Sequence, residues 1–302
     1  MNNNDISTKF YTYLLTEKCV ASNTFSAYKR DVEQFIIYLD KKNTPLDTLT
    51  INNIKDFLRY LKETLSLSAR SITRKISCLK VLFDYMHEQF GVADLAQDLT
   101  FPKLEKRLPN YLNEDEVRAL LVATESDTSD AGYRNKVLIY VLYASGMRIS
   151  ELVHLCISHL HFDTGFIDVL GKGGKMRTVP LAQPVFTLIK NYLATVHAKF
   201  TQAGKRSTDY LFPVFYGGKV KPITRQAVWS IIKTLCKRSG IERSIFPHQL
   251  RHSLATHMLK NGADLRSLQL LLGHETLATV QIYTHVETSY LRTVYDKKHP
   301  RS

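Results

Sequence analysis

Phe166-Ile167-Asp168-Val169-Leu170-Gly171-Lys172-Gly173-Gly174-Lys175-Met176-Arg177-Thr178-Val179-Pro180-Leu181 is the stretch that decides the fold class. Two short β-prone runs, Phe166 to Leu170 and Thr178 to Leu181, flank a turn rich in glycine and lysine, which predicts an antiparallel hairpin with Lys172 near its tip. On both sides of it the apolar spacing is helical. Downstream, apolar windows lie at Phe186 to Leu193, Val228 to Leu235, Leu254 to Leu259 and Leu265 to Leu272, with loops at Gly204 to Asp209 and Tyr216 to Lys219. Upstream, Asn113-Glu114-Asp115-Glu116 opens a helix with acids in its first turn, and Val117, Leu120 and Leu121 begin its apolar face. A small antiparallel β-sheet inside an otherwise helical unit is the expectation for 113–302.

Ahead of that unit stands Phe101-Pro102-Lys103-Leu104-Glu105-Lys106-Arg107-Leu108-Pro109, where two prolines bracket a charged stretch that continues neither neighbouring helix. A linker at 106–112 and a first domain at 1–105 follow. In that domain Phe25, Tyr28, Val32, Phe35, Ile36 and Leu39 recur at helical spacing, as do Ile54, Phe57, Leu58 and Leu61, then Ile72, Ile76, Leu79, Leu82, Phe83 and Met86. This predicts a helical bundle. Arg70, Arg74, Lys75 and Lys80 are read on the opposite face of the third stripe, behind Ser66 and Ser68 as candidate caps, and form a candidate DNA-binding face. A solvated basic face is the competing reading.

The 302 residues are 44% hydrophobic and 10% aromatic, enough for two ordinary cores, and carry a formal charge of +13. That charge, with a pI near 9.5, favours a polyanionic partner, because neutralised phosphates release condensed counterions. The N-terminus lacks the basic and apolar segments of a signal peptide, and the longest apolar run, Val137 to Ala144, is too short for a membrane span. A cytoplasmic protein with no membrane partner is expected. Cys19, Cys78, Cys156 and Cys236 form no CxxC pair and are read as reduced core thiols.

The chemistry-bearing residues recur in blocks. Arg148 sits in Gly146-Met147-Arg148-Ile149-Ser150-Glu151-Leu152, Lys172 in the hairpin, His248 and Arg251 in His248-Gln249-Leu250-Arg251-His252, His274 in Leu272-Gly273-His274, and Tyr283 nine residues beyond His274. Two arginines, two histidines, a lysine and a phenol include no carboxylate cluster of the kind Mg²⁺ requires, so side chains would meet the charge of a phosphate. Arginine offers a planar fork that stays protonated, which suits Arg148 and Arg251 to clamping phosphate oxygens. A carboxylate at Glu151 would repel phosphate, so it is read as a support for Arg148. His248 and His252 stand four apart, as metal ligands do on a helix, but Gln249 occupies the place of a general-base glutamate and Arg251 would set a fixed cation beside the metal.

With Leu211-Phe212-Pro213, Ala255-Thr256 and Gln281-x-Tyr283-Thr284-His285, these blocks resemble the tyrosine recombinase (phage integrase) family, and the overall length and N-terminal bundle are most similar to its Xer branch. The resemblance implies a mainly α, two-domain fold: a SAM-like, core-binding helical bundle and an α-rich catalytic domain with a small antiparallel sheet, closing as a clamp on DNA. It implies Arg148, Lys172, His248, Arg251 and His274 around the nucleophile Tyr283, with Lys172 as general acid and the two histidines as base and phosphate donor in either order. It further implies a 3′-phosphotyrosine, strand exchange through a Holliday junction, and no cofactor, metal or ATP. The implied partners are a double-stranded recombination site, a related recombinase completing a heterotetramer, and a DNA translocase of the division septum acting on the C-terminal region.

A type IB topoisomerase or a catalytically silent DNA-binding module would share much of this pattern. The tail Val286 to Ser302, with Leu291, Val294 and Tyr295 on one helix face, favours recombination, since such tails pass to a neighbouring protomer in the family. Tyr290 and Tyr295 lack the Gly-His spacing, and His252, His257 and His285 are read as structural. Ala278 and Val280 depart from small hydroxyl residues, and Phe246 is bulkier than usual two positions before His248, which predicts altered packing and rate.

Overall fold

The computed structural model describes residues 3–93, 95, 97, 99–102, 111–171, 174–200, 208–273 and 294–300. The chain divides into two compact units, Met1–Leu108 and Pro109–Ser302.

Among the described residues the first unit has the α-helices α1 (Asn3–Thr16), α2 (Ser22–Lys41), α3 (Ile51–Glu63) and α4 (Ala69–Phe90). Their apolar stripes meet in one core around Phe10, Phe35, Phe57 and Phe83, with the Phe35 and Phe57 rings 4.8 Å apart. Local caps fix where helices start. Thr50 and Asn53 form a reciprocal capping box on α3, and the Ser68 hydroxyl accepts the Ser71 amide at the head of α4.

One member of the expected basic face is a correction. Lys75 is buried, and its ammonium donates to Asp31 at 2.7 Å and to Gln34 at 2.5 Å. Arg74, the preceding residue, pairs with the second oxygen of the same carboxylate and donates to the Ala27 carbonyl. The physical reason is periodic: 75, 79, 82 and 86 follow the i, i+4, i+7, i+11 spacing of the buried stripe, so Lys75 points inward and is held by a buried acid. Arg70 is exposed, and Lys80 is half-buried with its ammonium 5.6 Å from the centre of the Phe101 ring.

In the second unit α5 (Glu114–Ala123) begins at Asn113, whose side chain accepts the Glu116 amide while Glu116 accepts the Asn113 amide. Helix α6 (Asp130–Ser145) is buried nearly all round through Val137, Leu138, Ile139, Val141 and Leu142, so it is the axis of this core. After the short α7 (Ile149–Val153) come β1 (Leu160–His161), β2 (Phe166–Leu170) and β3 (Met176–Pro180), an antiparallel sheet of order β1-β2-β3. Ile167 pairs with Val179 and Val169 with Arg177. Helix α8 (Gln183–Tyr192) packs on α6.

The stretch around Tyr216 to Lys219, expected as a loop, is the turn of a second hairpin formed by β4 (Pro213–Tyr216) and β5 (Lys219–Pro222). Gly217 and Gly218 both have positive φ, the twist a two-residue hairpin requires. Helices α9 (Arg225–Arg238), α10 (Pro247–Lys260) and α11 (Leu265–Leu272) follow. Among the described residues no helix is long and apolar enough to cross a membrane.

The four cysteines do not share one environment, which corrects the expectation of core thiols throughout. Cys78 and Cys236 are buried, Cys156 is half-buried and Cys19 is exposed. Burial, with Asp31 nearby, pushes the Cys78 thiol up to about 12, and burial pushes Cys236 up to about 11. A disulfide-exchange reagent at mildly alkaline pH is expected to label Cys19 first and Cys156 more slowly. Cys78 and Cys236 should react only on unfolding; mass spectrometry of timed samples checks the order.

Candidate active site

The site is assembled at the point where α6 ends. The chain passes through Gly146 and the buried Met147, and Arg148 precedes the first turn of α7. Glu151, in that turn, reaches back: its Oε2 accepts the Arg148 amide at 2.7 Å, and its Oε1 accepts Arg148 Nη1 at 2.9 Å. The carboxylate therefore fixes both the backbone and the guanidinium of Arg148.

Glu151 has a second cation. Arg177 projects inward from β3 and donates Nη1 to Oε1 at 2.9 Å and Nη2 to Oε2 at 2.7 Å. Both side chains are nearly removed from solvent, at 7% exposure for Arg177 and 4% for Glu151. Burial by itself raises the Glu151 carboxyl pKa, but hydrogen bonds from Arg177 and from the Arg148 amide outweigh it and hold the carboxyl below its usual range.

Arg251, one turn into α10, is the third guanidinium. Its Nη1 donates to the Gly146 carbonyl at 2.6 Å and its Nη2 to the Leu272 carbonyl. Burial, followed by the charges of Arg148 and Arg177, pushes it down to about 10, so it stays protonated at neutral pH. All three arginines meet the last carbonyls of α11: Arg177 Nε donates to Leu271 O and Arg148 Nη2 to Gly273 O, both at 3.4 Å, alongside the Arg251 bond to Leu272. Cations at a helix C-terminus satisfy its unpaired carbonyls and oppose its dipole. Gly273 lies against this cluster with φ +61°, and a Cβ there would stand 2.9 Å from Arg177 Cδ, so no larger residue fits without displacing the arginine.

Two guanidiniums thus hold one carboxylate while that of Arg251 stands on the neighbouring carbonyls, which leaves excess positive charge in a partly buried site, an arrangement suited to an anion. The structure brings together Arg148 and Arg251 from the sequence-predicted set and adds the predicted support, Glu151. His248 is exposed on α10 three residues before Arg251, the spacing of neighbours on a helix surface. Lys172, His274 and Tyr283 lie outside the described residues. Gly171, however, donates its amide to the Lys175 carbonyl at 2.8 Å, which joins the ends of β2 and β3 on either side of position 172.

Arg177 was not predicted from the sequence. The available signal was its alternation with Val179, which places an arginine on the inward side of a strand, where a charge requires a partner. His257, expected as structural, is buried, with its Nδ1 2.9 Å from the Tyr143 hydroxyl.

The tail supplies a further difference. Residues 294–298 are helical, and Tyr295 is buried in the core of its own unit, its hydroxyl donating to the Ala144 carbonyl at 2.9 Å and its ring stacked on His299 at 4.5 Å. Asn261 donates to the Lys298 carbonyl at 3.3 Å. In this single chain Tyr295, from the tail face expected to dock on a neighbour, is seated beside the end of α6 at Ala144, four residues before Arg148.

Known proteins match this arrangement. Residues 110–289 match the model of the Phage integrase family, and residues 8–89 match its N-terminal SAM-like domain. The chain belongs to the phage integrase family. Within it the chain is a XerD-like tyrosine recombinase, a DNA strand-transferring enzyme: it is 40% identical over 302 residues to tyrosine recombinase XerD of Listeria innocua, covering 99% of this chain and all of that one. It is 38% identical over 296 residues to the Staphylococcus aureus XerD, covering 97% and 98%.

Solved structures share the fold. The XerH recombinase bound to its difH substrate in a pre-cleavage complex superposes with a TM-score of 0.68 at 23% identity, covering 89% of this chain and 76% of that one. The Tn1549 transposon integrase in complex with transposon right-end DNA gives 0.73 at 18% identity, covering 96% and 98%.

Proposed function

We propose that this enzyme cuts and rejoins DNA at a specific site through a 3′-phosphotyrosine on Tyr283, exchanges strands through a Holliday junction, and thereby resolves chromosome dimers before segregation. The observation that carries the reading is the convergence of Arg148 and Arg251 in one partly buried, net-positive cluster whose carboxylate, Glu151, is already ion-paired.

In the proposed reaction Arg148 and Arg251 hold the non-bridging oxygens of the scissile phosphate, where charge concentrates in the transition state. The Tyr283 phenol passes its proton to His248 and its oxygen attacks phosphorus, while the bond to the 5′ oxygen breaks and that oxygen takes a proton from Lys172. His274 donates to a phosphate oxygen. One phosphodiester is exchanged for one phosphotyrosine, so an incoming 5′-hydroxyl can reverse the sequence and seal a recombined strand without ATP.

The proposed partners are the double-stranded recombination site, a related recombinase in a heterotetramer, and a septal DNA translocase acting on the C-terminal region. Exchange of the tail would replace the intramolecular seat of Tyr295 by the same groove of a neighbour. Arg70, Arg74 and Lys80 are proposed backbone contacts of the first unit, positioning rather than specifying. Lys75, committed to Asp31, would act there only by orienting its neighbours.

The test is a nicked suicide duplex carrying the terminus region of the host chromosome, incubated with the protein alone and with any paralogue. A covalent protein–DNA adduct that maps to Tyr283 and leaves a free 5′-hydroxyl is expected. DNA binding without any adduct would overturn the proposal in favour of a binding module.

A further inference from the structure

We infer that Arg177 is a positioning residue of the reaction: by neutralising Glu151 through a two-point ion pair, it leaves the charge of Arg148 available to the scissile phosphate. This deepens the proposed function and rests on its assignment of Arg148 to the phosphate.

The argument starts from a conflict built into the site. Glu151 is required beside Arg148, because it accepts both the Arg148 amide and one guanidinium nitrogen. A lone carboxylate in that place would cancel most of the field that Arg148 presents and would compete with phosphate for its donors. Low solvent exposure makes the competition stronger, since little water screens it.

Arg177 removes the conflict. Its fork occupies both oxygens of Glu151 at 2.7 and 2.9 Å, whereas Arg148 shares only Oε1 through its side chain. The side chain of Arg148 is 33% exposed while that of Arg177 is 7% exposed, so Arg148 is the cation with access to a ligand and Arg177 the one committed to the acid.

The same side chain links three elements. Arg177 stands in β3 opposite Val169, six residues after Gly171, and a Cβ added at Gly171 would lie 3.6 Å from Arg177 Nη1. It also donates to Leu271 at the end of α11, three residues before His274. Its position therefore sets the hairpin base, the Arg148 turn and the α11 terminus relative to one another.

The experiment compares single-turnover cleavage, at saturating amounts of a nicked duplex that the unaltered protein cleaves, for Arg177→Met, Glu151→Gln and the double variant, with DNA affinity measured in parallel. Arg177→Met is expected to slow cleavage by about 10- to 100-fold, less than the full loss of a transition-state donor, with affinity nearly unchanged. Adding Glu151→Gln should recover about tenfold, because a neutral amide no longer competes for Arg148. Arg177→Lys, which keeps the charge without the fork, should lose less than Arg177→Met. If Arg177→Met does not fold, Arg177→Gln carries the same comparison.

Near-native cleavage by Arg177→Met, or a double variant no faster than the single one, overturns the inference. Arg148→Ala separates it from the reading beneath it. If that variant cleaves normally, the phosphate clamp itself fails; if it is inactive while Arg177→Met is not, only the role of Arg177 fails.

Discussion

Arg148→Lys is expected to slow formation of the covalent adduct by about 10²–10³-fold while changing DNA affinity little. The reason is the geometry around Glu151. Arg148 uses Nη1 on the carboxylate and Nη2 on the Gly273 carbonyl, so one planar group spans two partners and still presents a partly exposed edge. Lysine has a single ammonium at the end of a flexible stem; drawn to Glu151, it has no second arm with which to reach phosphate. The local fold should survive, since the Glu151 bond to the residue 148 amide belongs to the backbone. Single-turnover cleavage and a gel-shift titration on the same duplex separate rate from binding. A lysine variant cleaving at the native rate would refute clamping through the fork.

Elements whose signal is local were legible in the sequence. The β2–β3 hairpin announced itself by two short β-prone runs around glycines, and the start of α5 by the acids of its first turn, to which the structure adds the Asn113–Glu116 capping box. The support of Arg148 by Glu151 also followed from the sequence, because a carboxylate there would repel phosphate; the structure adds that it reaches back three residues to the Arg148 amide. What was missed depends on long-range partners. Arg177 joins Glu151 across 26 residues, and Lys75 joins Asp31 across 44, so neither pair can be read from a neighbourhood in the chain.

Besides Arg177, whose alternation with Val179 marks it as inward, Lys75 and the second hairpin had signals nonetheless. Lys75 falls on the apolar period of its helix, and a positive residue on an apolar stripe requires a buried acid; Asp31, one turn before Phe35 in α2, is that acid. The β4–β5 hairpin was hidden by reading Gly217-Gly218 as a loop rather than as the two-residue turn between strands. The seat of Tyr295 in its own unit has no local signal, since an amphipathic tail fits its own groove as well as that of a neighbour.

Asp31→Asn is expected to destabilise the first unit by about 3–5 kcal/mol, the range for breaking a buried ion pair from one side. Asp31 is 3% exposed at its side chain and holds Lys75 through one oxygen and Arg74 through the other. An amide of the same shape keeps one acceptor but no charge, leaving the Lys75 ammonium, itself 7% exposed, buried with neutral acceptors and no counter-charge. Arg74 suffers less, because its side chain is 46% exposed and water can replace the lost partner. Replacing both buried partners, as Asp31→Leu with Lys75→Met, should cost far less than Asp31→Asn, because neither charge then remains to be desolvated. The sole tryptophan, Trp229, lies on α9 of the second unit, so its fluorescence reports that unit, while amide hydrogen exchange in α2 and α4 reports the first. The expected pattern is a loss of protection in α2 and α4 at an unchanged Trp229 transition. Protection that stays within about 1 kcal/mol of the unaltered protein would mean that the Asp31 carboxylate does not hold this bundle together.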